Sequence, residues 1–184
     1  QREGKMHRLE ARINAGQRVS RTEIDELNVE AREQAFQHHL TLLSTNASQA
    51  AKALDKMDDG VVGWLAKPDS VTIPRLVDDL RGLSRVTAAA MAGYRERVEI
   101  AKEAVEVGDT GDRARVATEK NRALDWAEGF IRDWMATGYY KERVDACLSL
   151  MKETEARALL AQFAIILASM LVGNVAGSLA ARGV

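Results

Sequence analysis

A chain of 184 residues with 26 basic and 27 acidic side chains, a formal net charge of -1, carries no overall field that would draw it to nucleic acid or to a cationic partner. Two prolines, 5% aromatic residues and abundant Ala, Arg, Glu, Leu and Met form a helix-favouring composition on a length that suits one domain, or one domain plus an anchor. The single Cys147 excludes an internal disulfide framework and fits a reducing compartment.

In chain order, Gly4 to Ala15 places Met6, Leu9 and Ile13 at helical spacing, and Gly16 stops the run. Ser20-Arg21-Thr22-Glu23 is a capping box, opening a helix to about Leu43 with Ile24, Leu27, Ala31 and Ala35 on one side. Ser44-Thr45-Asn46 predicts a break and a new cap, followed by a short Ala-rich helix to about Met57. Asp58-Asp59-Gly60 reads as a turn, and Val61 to Ala66 as a brief apolar piece around Trp64, ended by Lys67-Pro68.

From Thr72 the longest polar-bodied helix carries Leu76, Leu80, Leu83, Val86, Met91, Tyr94, Val98, Ala101 and Val105 on its face. Gly108 to Asp112 is a loop, and Val116, Leu124, Ala127, Ile131 and Trp134 mark the next helix, so the two predict an antiparallel hairpin. Gly138 is a stop. Beyond it Val144, Cys147, Leu148 and Met151 run without a breaker into the C-terminal segment. No alternating strand pattern and no repeat of 20–50 residues stands out. The expected fold is all-α, a helical bundle with a long hairpin and a C-terminal hydrophobic helix. Its expected divisions are a short-helix region at 1–72, hairpin and connecting helix at 73–157, and an apolar helix at 158–181.

That last segment is the most specific feature. Between Arg157 and Arg182 lie 24 residues without a charge. As a helix they would measure about 36 Å, against about 30 Å of bilayer hydrocarbon. Ser169, Gly173, Gly177 and Ala181 recur every four residues, and Gln162 falls near the same stripe. Small residues at this spacing let helix backbones approach closely where lipid supplies no drive for association. The opposing reading is the buried centre of a soluble bundle, also apolar all round. Arg157 and Arg182 flank the candidate span. Lys141, Arg143, Lys152 and Arg157 precede it and only Arg182 follows, which predicts a cytoplasmic body.

Motifs that carry chemistry are few. Asn46, Ala50-Ala51, Leu54 and Leu65 stand at spacings similar to helix-turn-helix modules of the Fis and phage-terminase kind, over about 20 residues. The resemblance implies a reading helix, but that helix would begin Asp58-Asp59-Gly60, whose carboxylates oppose phosphates, so the alanines read as close helix packing. Asp109-Thr110-Gly111 matches the aspartic-protease tripeptide, yet joins two helices and reads as a turn. His38 and His39 point about 100° apart on a helix and make a poor metal pair. Asn46-Ala47-Ser48 is a glycosylation acceptor by pattern, explained equally by a cap. Trp126, Phe130 and Trp134 at four-residue steps predict a core stripe, with Tyr139 and Tyr140 close behind. No acid, base and nucleophile converge, so no catalytic residues, metal or cofactor are expected.

The function expected from these features is a structural or assembly subunit of a membrane-associated homo-oligomer, anchored by its C-terminal helix. Its expected partners are membrane lipid, copies of itself and other subunits, and not nucleic acid. The alternatives are a pore-forming or translocation component, secreted or virion-delivered, and a soluble scaffold or DNA-packaging adaptor.

Overall fold

The computed structural model describes residues 2–56, 73–104 and 110–171. These form six helices: α1 (Arg2–Asn14), α2 (Arg21–Asp55), α3 (Ile73–Glu103), α4 (Thr110–Thr137), α5 (Tyr140–Leu150) and α6 (Glu155–Leu171). Among the described residues there is no strand, and the all-α helical fold is as expected.

Local chemistry sets the first boundaries. Gly16 takes a left-handed φ of 76°, letting its amide bond Ile13 O at 3.0 Å and the Gln17 amide bond Arg12 O at 2.9 Å. This paired closure satisfies the last carbonyls of α1. The capping box forms as the sequence requires: Glu23 N–H donates to Ser20 Oγ at 3.1 Å, and Ser20 N–H to Glu23 Oε2 at 3.2 Å. Arg12 also donates to Glu23 Oε1 at 3.1 Å. That contact, with the Ser20 amide second, holds the Glu23 carboxyl below the usual range.

Two expected boundaries differ from the structure. α2 does not break at Ser44-Thr45-Asn46. Asn46 turns its amide inward along the helix, donating to Leu42 O at 2.9 Å instead of capping a new start. The buried stripe continues through that point as Leu40, Leu43, Ala47, Ala50 and Leu54. Ile24, Leu27, Ala31 and Ala35, the expected inner side, are only half-buried, whereas Val29 and Phe36 are buried.

The second difference follows α5. Met151 is extended (φ -87°, ψ 141°), and its amide closes on Cys147 O. Thr154 then caps α6, its Oγ1 accepting from Arg157 N–H at 3.2 Å and its carbonyl from Ala158 N–H at 3.1 Å. The apolar pattern of the sequence thus continues across a turn, with Met151 itself buried.

The chain divides into two compact units. In described residues, the first comprises 2–37, 91–104 and 110–128, and the second 38–56, 73–90 and 129–171. In the first, α1 lies antiparallel to the start of α2, fixed by Lys5–Glu30 at 3.1 Å and Arg12–Glu23 at 3.1 Å. Arg113–Glu26 and Arg32–Asp125 set α4 parallel to α2 there. The end of α3 runs antiparallel to α4, as the hairpin pattern predicts: Gly93 meets Trp126, while Ala104 shares a groove with Arg115.

In the second unit the core is almost wholly aliphatic. Leu43, Leu54, Leu83, Ile131, Leu160 and Phe163 have no exposed surface. Burying one such side chain contributes about 1.5–3 kcal/mol.

The expectation of a transmembrane C-terminal helix is not supported. No helix of the described residues is long and apolar enough to cross a membrane. One side of α6, through Ala156, Leu160, Phe163, Leu167 and Met170, is buried within the second unit and so is occupied by packing. Residues 172–181 of the expected span lie outside the described residues.

Candidate functional site

Three sites concentrate chemistry, and the outward side of α6 is the first. Ala158, Gln162, Ile165 and Ser169 are exposed at steps of four, three and four, with Ile165 at 69%. Half-buried Leu159, Ala161, Ile166 and Ala168 border them. Ser169 Oγ donates to Ile165 O at 3.0 Å, which satisfies the hydroxyl inside its own helix. Gln162 and Ser169, two of the expected seam residues, lie on this exposed side. Gly173, Gly177, Ala181 and the flanking Arg182 fall outside the described residues.

Arg157, expected to flank the span, has a further role. Its Nε donates to Leu148 O at 3.3 Å and its Nη1 pairs with Glu153 at 3.1 Å. It therefore fastens α6 to the last turn of α5, a cation at a helix C-terminus.

The second site is the cleft beside the α4–α5 turn, about 640 Å³, lined by Arg75, Asp79, Trp134, Tyr139, Glu142 and Arg143 among others. α4 ends as Gly138 N–H bonds Trp134 O at 3.2 Å and Tyr139 N–H bonds Ala136 O at 3.1 Å. A Cβ on Gly138 would lie 2.6 Å from the Tyr140 ring, so only glycine admits that ring against the turn. The left-handed residue is instead Tyr139 (φ 52°, ψ 38°), 66% exposed. Such a backbone is uncommon for a bulky side chain.

Tyr140 is buried, its ring centroid 4.9 Å from that of Trp134. Its hydroxyl donates to Asp79 O at 3.4 Å. Burial, then the Asp79 charge, pushes its phenol up, with Arg143 opposing, so it remains a donor. Arg143 pairs with Asp79 Oδ2 at 2.6 Å and lies 5.7 Å from the Tyr140 ring centroid. Cys147, one turn on, is fully buried; burial pushes its thiol up to about 11, away from the thiolate a nucleophile needs. This cleft offers aromatic and hydrogen-bonding contacts to a ligand.

The third site is a buried polar cluster in the first unit. Arg32, 6% exposed, donates from Nη1 to Asn121 O and Oδ1 at 3.1 and 3.0 Å. Its Nη2 pairs with Asp125 and stands 3.4 Å from the equally buried Glu128. Nearby the Tyr94 hydroxyl donates to the Glu33 carboxylate. Burial first, then Glu33, raises the Tyr94 phenol, and Arg32 lowers it in part. Apolar periodicity alone does not single out Arg32, because a charged residue interrupts the apolar stripe. The available signal was its place between Val29 and Phe36, with Glu128 between Leu124 and Ile131 on α4.

The remaining sequence candidates separate. Ala50 and Ala51 are fully buried, as close packing requires, while residues 58–65 of the helix-turn-helix resemblance lie outside the described residues. Thr110 and Gly111 belong to the first turn of α4, and Asp109 lies outside. The His38 and His39 rings meet edge-on, centroids 6.1 Å apart. Among the described residues no three of His, Cys, Asp and Glu gather as a metal would need. Trp126, Phe130 and Trp134 are half-buried, flanking the core stripe of Leu124, Ala127, Ile131 and Met135 that they were expected to form. No family model, curated protein or solved structure matches this chain.

Proposed function

We propose that this chain is a structural assembly subunit, a helical body that associates with copies of itself through its C-terminal apolar segment. The observation that carries the reading is the open side of α6. A helix free of charge from Ala158 to Leu171 is covered on one side only, leaving Ile165 69% exposed. Ala158, Gln162, Ile165 and Ser169 follow the three-and-four spacing of a helix–helix seam, in which a polar Gln fixes register at some cost in stability. The small alanines beside them permit close approach. In sequence the small-residue stripe continues as Gly173, Gly177 and Ala181, so the seam would extend along it.

Membrane association belongs to the same proposal and rests on the 24-residue charge-free run, Ala158 to Ala181. The body would stay on the cytoplasmic side, held by the excess of Lys and Arg ahead of the run.

The test is the mass of the purified chain by light scattering at about 100 µM, which populates any contact stronger than about -5 kcal/mol. An oligomer is expected, reduced by Ile165→Glu and by Gly173→Leu with helicity unchanged. A wild-type monomer, or variants of unchanged mass, rejects self-association. Alkaline carbonate extraction with and without residues 158–184 tests the membrane part separately.

A further inference from the structure

The first unit bears a surface groove of about 470 Å³ between the end of α3 and α4, distinct from both the α6 face and the cleft beside Tyr139. Its floor is aliphatic. Ile100, 59% exposed, lines it together with Ala101, Ala104, Ala123 and Trp126. Its rim is cationic, with Arg97, Arg115 and Arg122. Among the described residues of the lining the one carboxylate, Glu119, is engaged by Arg122 at 2.6 Å, so these residues keep a positive excess.

Arg97 is fixed in a particular way. Its guanidinium lies 3.5 Å from the centroid of the Trp126 ring, and its Nη1 donates to Gly93 O at 3.3 Å. Gly93 makes this stack fit, because a Cβ there would come within 2.3 Å of the indole. A stacked guanidinium loses little further freedom when its outer edge meets a carboxylate. Among the described residues Arg115 enters no ion pair, and it is exposed.

We propose that this groove docks an acidic peptide segment of a partner protein. An aliphatic side chain of that segment seats against Ile100, and the carboxylates beside it meet Arg97 and Arg115. The chemistry favours peptide over nucleic acid on two counts. An aliphatic floor gains nothing from a phosphate backbone. The Trp126 face that could stack a base already carries Arg97.

The experiment pans the full-length chain against a random 12-residue peptide display library and titrates the enriched peptide, with a 20-nucleotide oligo(dT) in parallel. The expected consensus is Leu, Ile or Phe flanked by Asp or Glu. Affinity is expected to fall with salt, and about tenfold in Arg115→Glu, an exposed position whose change should leave melting unaltered. Arg97→Lys keeps the charge and loses the planar fork, so it should weaken binding by a smaller factor than Arg115→Glu. Ile165→Glu on α6 should bind as wild type does, which separates this groove from self-association. A selection without acid-flanked consensus, equal binding by Arg115→Glu, or oligo(dT) competing more tightly than the peptide would each overturn the proposal.

Discussion

The two compact units are built on different kinds of core, although α2, α3 and α4 each contribute residues to both. In the second, leucines, Ile131, Met135 and Phe163 fill the interior. In the first, Arg32 and Glu128 occupy interior positions with Val29, Phe36 and Leu124, and Tyr94 buries its ring while its hydroxyl bonds Glu33. An aliphatic interior supplies most of the free energy of burial but accepts many arrangements of similar shape. A buried guanidinium has few acceptable partners, and Arg32 finds three of them on one helix: Asn121, Asp125 and Glu128. Stability is therefore expected to reside chiefly in the second unit, and the register of α2 against α4 in the first. Substitutions in each unit can break that division of labour.

The largest effect should come from the aliphatic core. Phe163→Ala removes a ring with no exposed surface and is expected to destabilise by about 3–5 kcal/mol in urea unfolding. A loss under 1 kcal/mol would mean that the α6 side of this core is loosely packed. Arg32→Ala should follow closely, at about 3 kcal/mol, because it strips the cation from a site holding the buried Glu128. The informative variant is the pair Arg32→Leu with Glu128→Leu, which should regain most of that loss. If the charges specify register, the pair should keep its stability while amide spectra of residues 21–37 and 110–128 broaden. Sharp, wild-type-like spectra would deny the cluster that role.

How much of this was legible depended on whether the signal was local. Gly16 and the Ser20–Glu23 box set helix boundaries through backbone groups within a few residues, and both could be read directly. Asn46 differs from its expected capping role because a side chain able to cap can also bond the carbonyl four residues back, and the buried stripe across Leu43 and Ala47 favours the latter. The turn at 151–154 was hidden for the opposite reason. Met151 satisfies the apolar pattern while its backbone leaves the helix, and Thr154 was the only local mark. Arg32, Arg143 and Arg157 depend on partners that periodicity does not identify. Of the expected seam, Gln162 and Ser169 could be placed on one face from spacing alone, but the cover on the other face of α6 could not.

A smaller effect compares one glycine in each unit. Gly93→Ala would bring a Cβ within 2.3 Å of Trp126, and Gly138→Ala would bring one within 2.6 Å of Tyr140. Each ring must move, at about 1–3 kcal/mol for overpacking of this kind. The two should be told apart by what else changes. Gly93→Ala should disturb the Arg97–Trp126 stack and shift tryptophan emission, while Gly138→Ala should weaken the Tyr140 contact with Trp134. Equal stability of both variants with wild type would show that the rings have room to spare.

The smallest effect concerns Tyr139, where conformation and side chain are opposed. Its φ of 52° brings Cβ toward the following carbonyl, a geometry that costs about 1–2 kcal/mol for an ordinary residue. Asn tolerates this conformation better, because its short polar side chain bonds locally. With the tyrosine ring 66% exposed, little packing is lost on replacement, so Tyr139→Asn should stabilise the chain by about 0.5–1 kcal/mol. Tyr139→Ala supplies the control, since it keeps the Cβ and its strain but removes the ring. The difference between Asn and Ala then measures the backbone, and that between Ala and Tyr measures the ring. If Asn stabilises while Ala matches wild type, the ring contributes nothing to folding, and a strained, exposed tyrosine beside Arg75 and Trp134 becomes a contact for a ligand of the cleft. If Ala destabilises by more than 1 kcal/mol, the ring is a packing element of the α4–α5 turn, and that functional reading of Tyr139 is rejected.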